Sequence, residues 1–174
     1  MELLIRKYSE SDVIPLWQIL EPVAMGSALF SYSLQSLQDC RSLLHRQRLC
    51  LVAQVQGRVQ GVLLLRSMGE GGWQQFATVE LVVTAEWQRQ QIGTALMAQA
   101  KHVAATLHYN GILLSPLPED TQTFAFFSSQ GFDAAGVLPV AGAQQTVLCW
   151  ECPKRSTKTK NKKELPNLQN KQHR

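Results

Sequence analysis

Apolar residues recur along this chain with two different periods, and each period predicts a different kind of element. Short apolar or alternating runs, bounded by glycine or polar turns, indicate strands. The predicted strands are 3–7, 49–55, 59–65, 76–84, 111–115, 134–138 and 145–149. Apolar residues three and four positions apart indicate helices with one face packed on a sheet. These helices begin near residues 9, 30, 92 and 120.

The first two helices carry the clearest start and stop signals. Ser9-x-x-Asp12 resembles a capping box, and the helix that follows it is expected to end at Pro22 and Gly26. The second helix is predicted over 30–46, because four leucines recur there on or near one face. They are Leu34, Leu37, Leu43 and Leu44.

The order of the elements predicts the fold class. Read along the chain it is β-α-α-β-β-β-α-β-α-β-β, in which hairpins are followed by β-α-β crossovers. This order predicts an α/β (α+β) fold: a mixed, mostly antiparallel central sheet of about seven strands with helices on both faces. The sequence shows neither an internal repeat nor a second domain.

Size and charge divide the chain into a body and a tail. A chain of 174 residues, 45% of them hydrophobic, can bury one core of ordinary size, so 1–153 is expected to be one soluble domain. Residues 154–174 hold eight Lys or Arg and one Glu, a net charge of +7. The rest holds nine basic and twelve acidic residues, a net charge of −3.

The tail is expected to be disordered, because two leucines and no aromatic residue cannot offset the entropy of ordering it. Its charge could attract RNA or an anionic surface weakly. Without aromatic residues to stack on bases, however, nucleic acid is an unlikely partner.

The apolar runs bear on where the protein is located, and the cysteines bear on whether it binds a metal. No membrane span or signal peptide is indicated, so a cytoplasmic location is the expectation. The four cysteines are too few and too scattered for a disulfide framework. Cys149-x-x-Cys152 lacks a second pair at metal-site spacing, and we expect no metal.

The segment after the strand 76–84 is the strongest candidate for a ligand site. A strand runs into a short loop and then into the start of a long helix, whose first N–H groups lack partners within the helix. That arrangement suits a pyrophosphate. The loop reads Gln88-Arg-Gln-Gln-Ile-Gly93, followed by Thr94.

This loop resembles the pattern Q/R-x-x-G-x-G/A of the GNAT superfamily of N-acetyltransferases. Phe126-Phe-Ser-Ser-Gln-Gly-Phe132 is similar to that family's L-Y-x-K-x-G-F segment. The closest resemblance within the superfamily is to the phosphinothricin acetyltransferase group. It is carried by Leu51-Val-Ala-Gln-Val-Gln-Gly-Arg-Val-Gln-Gly61 and Gly136-Val-Leu-Pro-Val-Ala-Gly142.

The resemblance implies a GNAT fold and acetyl-CoA as cosubstrate. It places the pantetheine arm along the backbone of Leu81, Val82 and Val83, and the pyrophosphate on the loop amides. Asp120 falls near a position that contacts the cofactor, and Phe127 falls where many members have a tyrosine. The implied loop residues are Gln88, Arg89, Gln90, Gln91, Ile92, Gly93 and Thr94.

Two residues depart from the family pattern. Gln91 stands where the family has its first glycine. If that position needs a positive φ, a non-glycine residue costs roughly 1–2 kcal/mol. Phe127 cannot protonate the departing CoA thiolate, although that thiolate has a pKa near 8.5 and water could supply the proton at tolerable cost.

Glu80 is the best candidate for a general base. Its side chain should share a strand face with Thr78 and Val82. Two alternatives are a solvated strand residue and an ion-paired one. The phosphinothricin group has its glutamate two residues earlier, at the position of Thr78. His45, His102 and His108 are expected to be surface residues.

The resemblance implies acetyl transfer to the primary amine of a small molecule, with an amino-acid-like acceptor suggested by the subgroup. One alternative is an acetyl-CoA-binding sensor that regulates a partner protein. Another is acetylation of a protein N-terminus or lysine. The acceptor itself depends on segments 21–30 and 137–146, and the resemblance leaves homodimerisation open.

Overall fold

The strands and helices predicted from the apolar pattern occur in the predicted order in the computed structural model, which describes residues 2–26, 34–116, 120–140 and 143–153. The strands are β1 (Leu3–Lys7), β2 (Leu49–Val55), β3 (Arg58–Ser67), β4 (Phe76–Val83), β5 (Gly111–Leu114), β6 (Asp133–Val140) and β7 (Ala143–Glu151). The helices are α1 (Val13–Gly26), α2 (Leu37–His45), α3 (Ile92–Thr106) and α4 (Thr121–Ser129). The predicted fold class is confirmed.

All seven strands form one sheet in the order β1-β2-β3-β4-β5-β7-β6. Every neighbouring pair is antiparallel except β4 and β5, which are parallel. β4 is paired with β3 from Ala77 to Val83, but with β5 only at Phe76 and Ala77. Beyond Ala77, therefore, the described residues place a strand on one side of β4 only.

The divergence of β4 and β5 follows from how short β5 is and from what holds its end. After Leu114, the hydroxyl of Ser115 donates to the backbone oxygen of Thr146 on β7, at 3.2 Å. The next residue is Pro116, which has no N–H to give to a neighbouring strand. The chain is thus drawn towards β7 and away from β4.

Alternate residues of the central strands face two different cores. On one face, β2 and β3 pack against α3, and on the other they pack against α1 and α2. The α3 side includes Leu51, Ala53, Leu63, Leu65, Leu96, Met97 and Ala100. The other side includes Leu16, Leu20, Leu43, Cys50, Val52, Val62 and Leu64.

The first helix ends at Gly26, as predicted, but the prediction that Pro22 would help to end it is wrong. Pro22 lies inside α1. Proline has no N–H to donate to the carbonyl of Gln18, one turn earlier. Both residues are exposed, so water can donate to that carbonyl instead.

The second helix begins at Leu37 rather than at position 30, because 34–36 are not helical and Ser36 caps the helix through the N–H of Asp39, at 3.1 Å. Leu37 is 44% exposed, so it is not on the packed face with Leu43 and Leu44. Residues 27–33 lie outside the described residues, as do 141–142 in the β6–β7 turn and the predicted tail, 154–174.

The capping box before α1 is present and is tied to β1. The carboxylate of Asp12 accepts the N–H of Ser9 at 2.8 Å. It also receives two guanidinium N–H groups of Arg6, at 2.7 and 2.8 Å. Asp12 is buried, and these hydrogen bonds, that from Arg6 first, hold the pKa of its carboxyl below the usual range. The pair fixes the start of α1 against the sheet.

Asp12→Ala should therefore lower the free energy of unfolding by about 2–3 kcal/mol, since it removes the carboxylate that pairs with Arg6. The stabilisation is present above the unfolded pKa of Asp12 and is lost as the pH falls through the lowered folded value. Urea denaturation of wild type and variant at several pH values measures both effects. Glu10→Ala, which removes an exposed carboxylate, is the control and should change stability much less. Equal losses in the two variants would contradict this account.

Candidate functional site

The gap between β4 and β5 opens into a continuous cleft with two connected parts. One part, which we name the Glu80 chamber, has a volume of about 360 Å³. The other, the loop chamber, has a volume of about 710 Å³. Residues that border both chambers are Leu81, Val83, Gln88, Asp120, Thr123 and Phe127.

The loop between β4 and α3 is held by its own backbone and by β3. The N–H of Thr84 donates to the carbonyl of Gln60 at 2.9 Å, and their side chains meet at 2.8 Å. A 3-10 turn follows at Ala85–Trp87. After it, the side-chain amide of Gln88 donates a hydrogen bond to the carbonyl of Val83 at 3.1 Å. Groups of the protein itself thus fix the shape of the loop.

Two residues of this loop have left-handed backbone conformations. Arg89 has a φ of 60° and Gln91 a φ of 63°, and Gln91 directly precedes α3. The positive φ suspected at Gln91 is confirmed. Its side chain makes no capping hydrogen bond, so the first N–H groups of α3 lack this common partner. With Arg89 beside them, they give this end of the cleft a positive potential.

Gly93 lies where a side chain would crowd its neighbours. A Cβ atom there would lie 3.2 Å from Cζ of Phe126 and 3.4 Å from Cδ2 of Leu81. Glycine thus lets the first turn of α3 approach both α4 and β4 beside the loop chamber.

The predicted ligand residues differ in how they meet the cleft. Leu81, Val83, Gln88, Arg89, Gln91, Gly93 and Thr94 all border the loop chamber, and Val82 borders the Glu80 chamber. Gln90 borders a separate hollow on the other side of the loop. The side chain of Ile92 is buried in the α3 core, so only its backbone is available to a ligand.

Asp120 and Phe127 come to the cleft on α4. Asp120 caps that helix by accepting the N–H of Thr123 at 2.9 Å. Phe127 is buried, and its ring centroid lies 5.2 Å from that of Phe126 and 5.2 Å from that of Phe132. Its ring offers an apolar wall and no proton.

Glu80 projects from β4 into the chamber named after it, on the same face as Thr78 and Val82. Its side chain is 16% exposed, and Oε1 lies 3.5 Å from Nη2 of Arg66. Oε2 is buried and has no hydrogen-bond partner among the described residues. Burial raises the pKa of the Glu80 carboxyl, an effect that Arg66 opposes. The carboxylate is therefore ion-paired through Oε1, while Oε2 is left without a partner among the described residues.

Three elements reach the Glu80 chamber through residues that sequence reasoning missed. Arg66 extends from β3, Val23 from α1, and Ser115 with Pro116 from the segment after β5. The sequence gives one clue to Arg66, which is its position directly after the predicted apolar strand 59–65. Its place beside Glu80 depends on the register between β3 and β4, which the sequence does not reveal.

The remaining candidates lie elsewhere. Nε2 of His45 pairs with the exposed carboxylate of Glu10 at 2.6 Å, and His102 and His108 are exposed. Within the described ranges, no group of three or more His, Cys, Asp or Glu residues is arranged to hold a metal ion. No helix there has both the length and the apolar character needed to cross a membrane.

Comparison with known proteins identifies the same region. The family model of the acetyltransferase (GNAT) domain matches residues 46–134, which include β3, β4, the loop, α3 and α4. No curated protein matches the sequence.

Solved structures share the fold at low sequence identity. A ribosomal-protein-alanine N-acetyltransferase from Brucella melitensis is 19% identical, with a TM-score of 0.76 over 85% of this chain and 99% of that one. An acetyltransferase candidate from Salmonella typhimurium, solved with its cofactor acetyl-CoA, is 14% identical, with a TM-score of 0.76 over 90% and 97%. A candidate phosphinothricin N-acetyltransferase is 16% identical, with a TM-score of 0.69 over 88% and 100%.

The strain at Gln91 can be measured. Gln91→Gly should raise the free energy of unfolding by about 0.5–1 kcal/mol, because relief of the left-handed strain exceeds the entropy that glycine adds to the unfolded chain. The matched control is Gln90→Gly, at a neighbour without a positive φ, and it should destabilise. Thermal unfolding of the two variants tests this, and destabilisation by Gln91→Gly would contradict the strain.

Proposed function

This chain belongs to the GNAT family of acetyltransferases, and we propose that it acetylates the primary amine of a small molecule by direct attack on acetyl-CoA. It is an acetyltransferase, and acetyl-CoA is its cosubstrate. The observation that carries the proposal is the position of Glu80, whose carboxylate lies in the cleft beside the open edge of β4.

For the cosubstrate, we propose the loop chamber and the adjoining edge of β4. The backbone of Leu81 to Val83 would pair with the amides of the pantetheine arm, because no strand in the described part of the chain pairs with that edge. The amides from Arg89 to Thr94 would hold the pyrophosphate. We place Asp120 beside the pantetheine rather than the phosphates, since its negative charge would repel them. Phe127 would form the apolar wall.

A base is needed because only a neutral amine can attack the thioester carbonyl. An alkylamine of pKa about 10.4 is neutral in so few molecules at pH 7 that the handicap is about 4.6 kcal/mol, whereas an α-amine of pKa about 8 loses only about 1.4 kcal/mol. We assign the proton to Glu80, whose raised pKa makes it a stronger base than an exposed glutamate.

The bond changes in this proposal are simple. The amine nitrogen bonds to the carbonyl carbon, the C–S bond breaks, and CoA leaves as a thiolate. That thiolate would take its proton from water, since Phe127 has no hydroxyl group. The proton that Glu80 accepted would pass to the solvent, which restores the base and balances the step.

The size of the Glu80 chamber, about 360 Å³, favours a small acceptor. The likeness to a candidate phosphinothricin N-acetyltransferase supports an amino-acid-like one. A second candidate is the N-terminal α-amine of a protein, supported by the likeness to a ribosomal-protein-alanine N-acetyltransferase. Both acceptors present an α-amine, so a panel that contains amino acids, alkylamines and short peptides separates them.

We also propose that residues 1–153 are the complete catalytic unit and that residues 154–174 are dispensable for turnover. Free cysteines throughout the described residues support action in a reducing compartment such as the cytoplasm. Homodimerisation stays an expectation from the family alone.

Turnover tests the enzyme directly. Acetyl-CoA should bind in a calorimetric titration, and at least one class of amine in the panel should release CoA thiol. Truncation after Pro153 should leave both results unchanged. Binding without release by any amine would contradict catalysis and favour a sensor, while no binding would overturn the cosubstrate site.

Glu80→Gln should lower kcat/KM by about 100-fold or more with an alkylamine and by less with an α-amine, because the second acceptor needs less help to become neutral. Acetyl-CoA affinity should stay within about twofold. The control is Glu86→Gln, at an exposed glutamate in the turn after β4. Unchanged kcat/KM in Glu80→Gln would exclude this residue as the base.

Gly93→Ala should weaken acetyl-CoA binding by about tenfold, because the added methyl pushes Phe126 towards the loop chamber. Gly72→Ala is the matched control, since a Cβ atom there meets no atom within 4 Å. Calorimetry measures both, and equal affinities in the two variants would contradict the proposed route of the cosubstrate.

A further inference from the structure

Arg66 is a charged residue in the cleft to which the proposed reaction has so far assigned no task. It lies on β3 opposite Thr78, while Glu80 lies opposite Leu64. Arg66 and Glu80 are thus diagonal neighbours on one face of the sheet, a separation that a long side chain can span. The ion pair at 3.5 Å is the result.

The surroundings make this contact important for Glu80. The carboxylate is mostly covered, and one of its oxygens is buried without a partner among the residues that the structure describes. A covered carboxylate without a nearby cation would favour its protonated form, in which it cannot accept a proton. Arg66 is 36% exposed at the edge of the same chamber, so the cation is both close to Glu80 and in contact with solvent.

The other charges that the described residues bring to this chamber cannot take over this task. Among the described residues that line the Glu80 chamber, the charged groups besides Glu80 are Arg66 from β3 and Asp120 at the start of α4. Asp120 is negative and caps its own helix. Helix α1 contributes Val23, which has no charge.

We propose that Arg66 is a positioning residue for acetyl transfer: its guanidinium fixes the side chain of Glu80 and keeps it negatively charged within the cleft. This inference rests on the proposed role of Glu80 as base. Burial raises the pKa of Glu80 and Arg66 lowers it, which agrees with this assignment. Arg66 thereby sets the lowest pH at which the base can work.

The direct test is a titration of Glu80 itself, which needs no acceptor. The full-length chain is labelled with ¹³C at the glutamate carboxyl groups, and Glu80→Gln identifies the signal. In Arg66→Met the Glu80 midpoint should move to higher pH, whereas Arg66→Lys should stay close to wild type. Arg58→Met, at an exposed position on the same strand, should not move it. An unmoved midpoint in Arg66→Met would overturn the proposal. If that variant does not fold, Arg66→Gln replaces it.

The kinetic test uses the pH profile of kcat/KM with an acceptor that the panel identifies. A carboxylate base loses activity as the pH falls through its pKa, so a raised pKa moves this loss to higher pH. Arg66→Met should be about tenfold slower than Arg66→Lys at pH 6.5 and within about twofold of it at pH 9.

Two other outcomes separate this inference from the function on which it rests. An equal loss at every pH would mean that Arg66 does not act through the charge of Glu80, and it would overturn the proposal. Wild-type rates in Glu80→Gln would overturn the assignment of Glu80 as the base. The role of Arg66 in the reaction would fall as well, because it depends on that assignment. An impaired Glu80→Gln beside an Arg66→Met variant with a wild-type profile would overturn only the role of Arg66.

Discussion

The site depends on one feature of the sheet: β4 and β5 stay together for only two residue pairs. A backbone edge inside a protein normally finds a partner, because buried N–H and C=O groups are costly to leave unpaired. Here the edge of β4 beyond Ala77 faces a cleft instead, and β3 holds β4 in place from the other side. A ligand with amide groups of its own can complete such an edge without any change in the fold.

The rest of the cleft is arranged around that edge. In the first turn of α3, Gly93 lets the helix approach β4 closely, and within the loop the left-handed residues Arg89 and Gln91 turn the chain into the helix. The strain at Gln91 is confined to the loop that meets the ligand, where folds commonly accept such a cost. On the acceptor side, one carboxylate from β4 and one guanidinium from β3 give the chamber its chemistry.

Much of the fold could be predicted because its signals are local. Strand alternation, the Ser9 capping box and the turn-helix transition at Gln88 to Thr94 each depend on residues close together in the sequence. The errors have equally local causes. Pro22 is tolerated because Gln18, whose carbonyl loses its usual N–H donor, is exposed. The second helix begins at Leu37, directly after Ser36, whose side chain caps it.

The site was less predictable because part of it depends on long-range register. Glu80 and the loop could be found on one continuous segment, but Arg66 comes to Glu80 through the pairing of β3 with β4, and Ser115 acts through β7. The roles proposed for the site residues come from the resemblance to a family, and the contacts between those residues come from the structure. The two segments expected to shape the acceptor site, 21–30 and 137–146, include residues 27–30 and 141–142, which lie outside the described residues.

A crystal structure of the full-length protein with acetyl-CoA tests the central claim most directly. Our account predicts hydrogen bonds of about 2.9 Å between the pantetheine amides and the backbone of β4 within residues 79–83, with the acetyl group in the Glu80 chamber. A pantetheine arm bound away from β4, or an acetyl group that does not enter the Glu80 chamber, would contradict it.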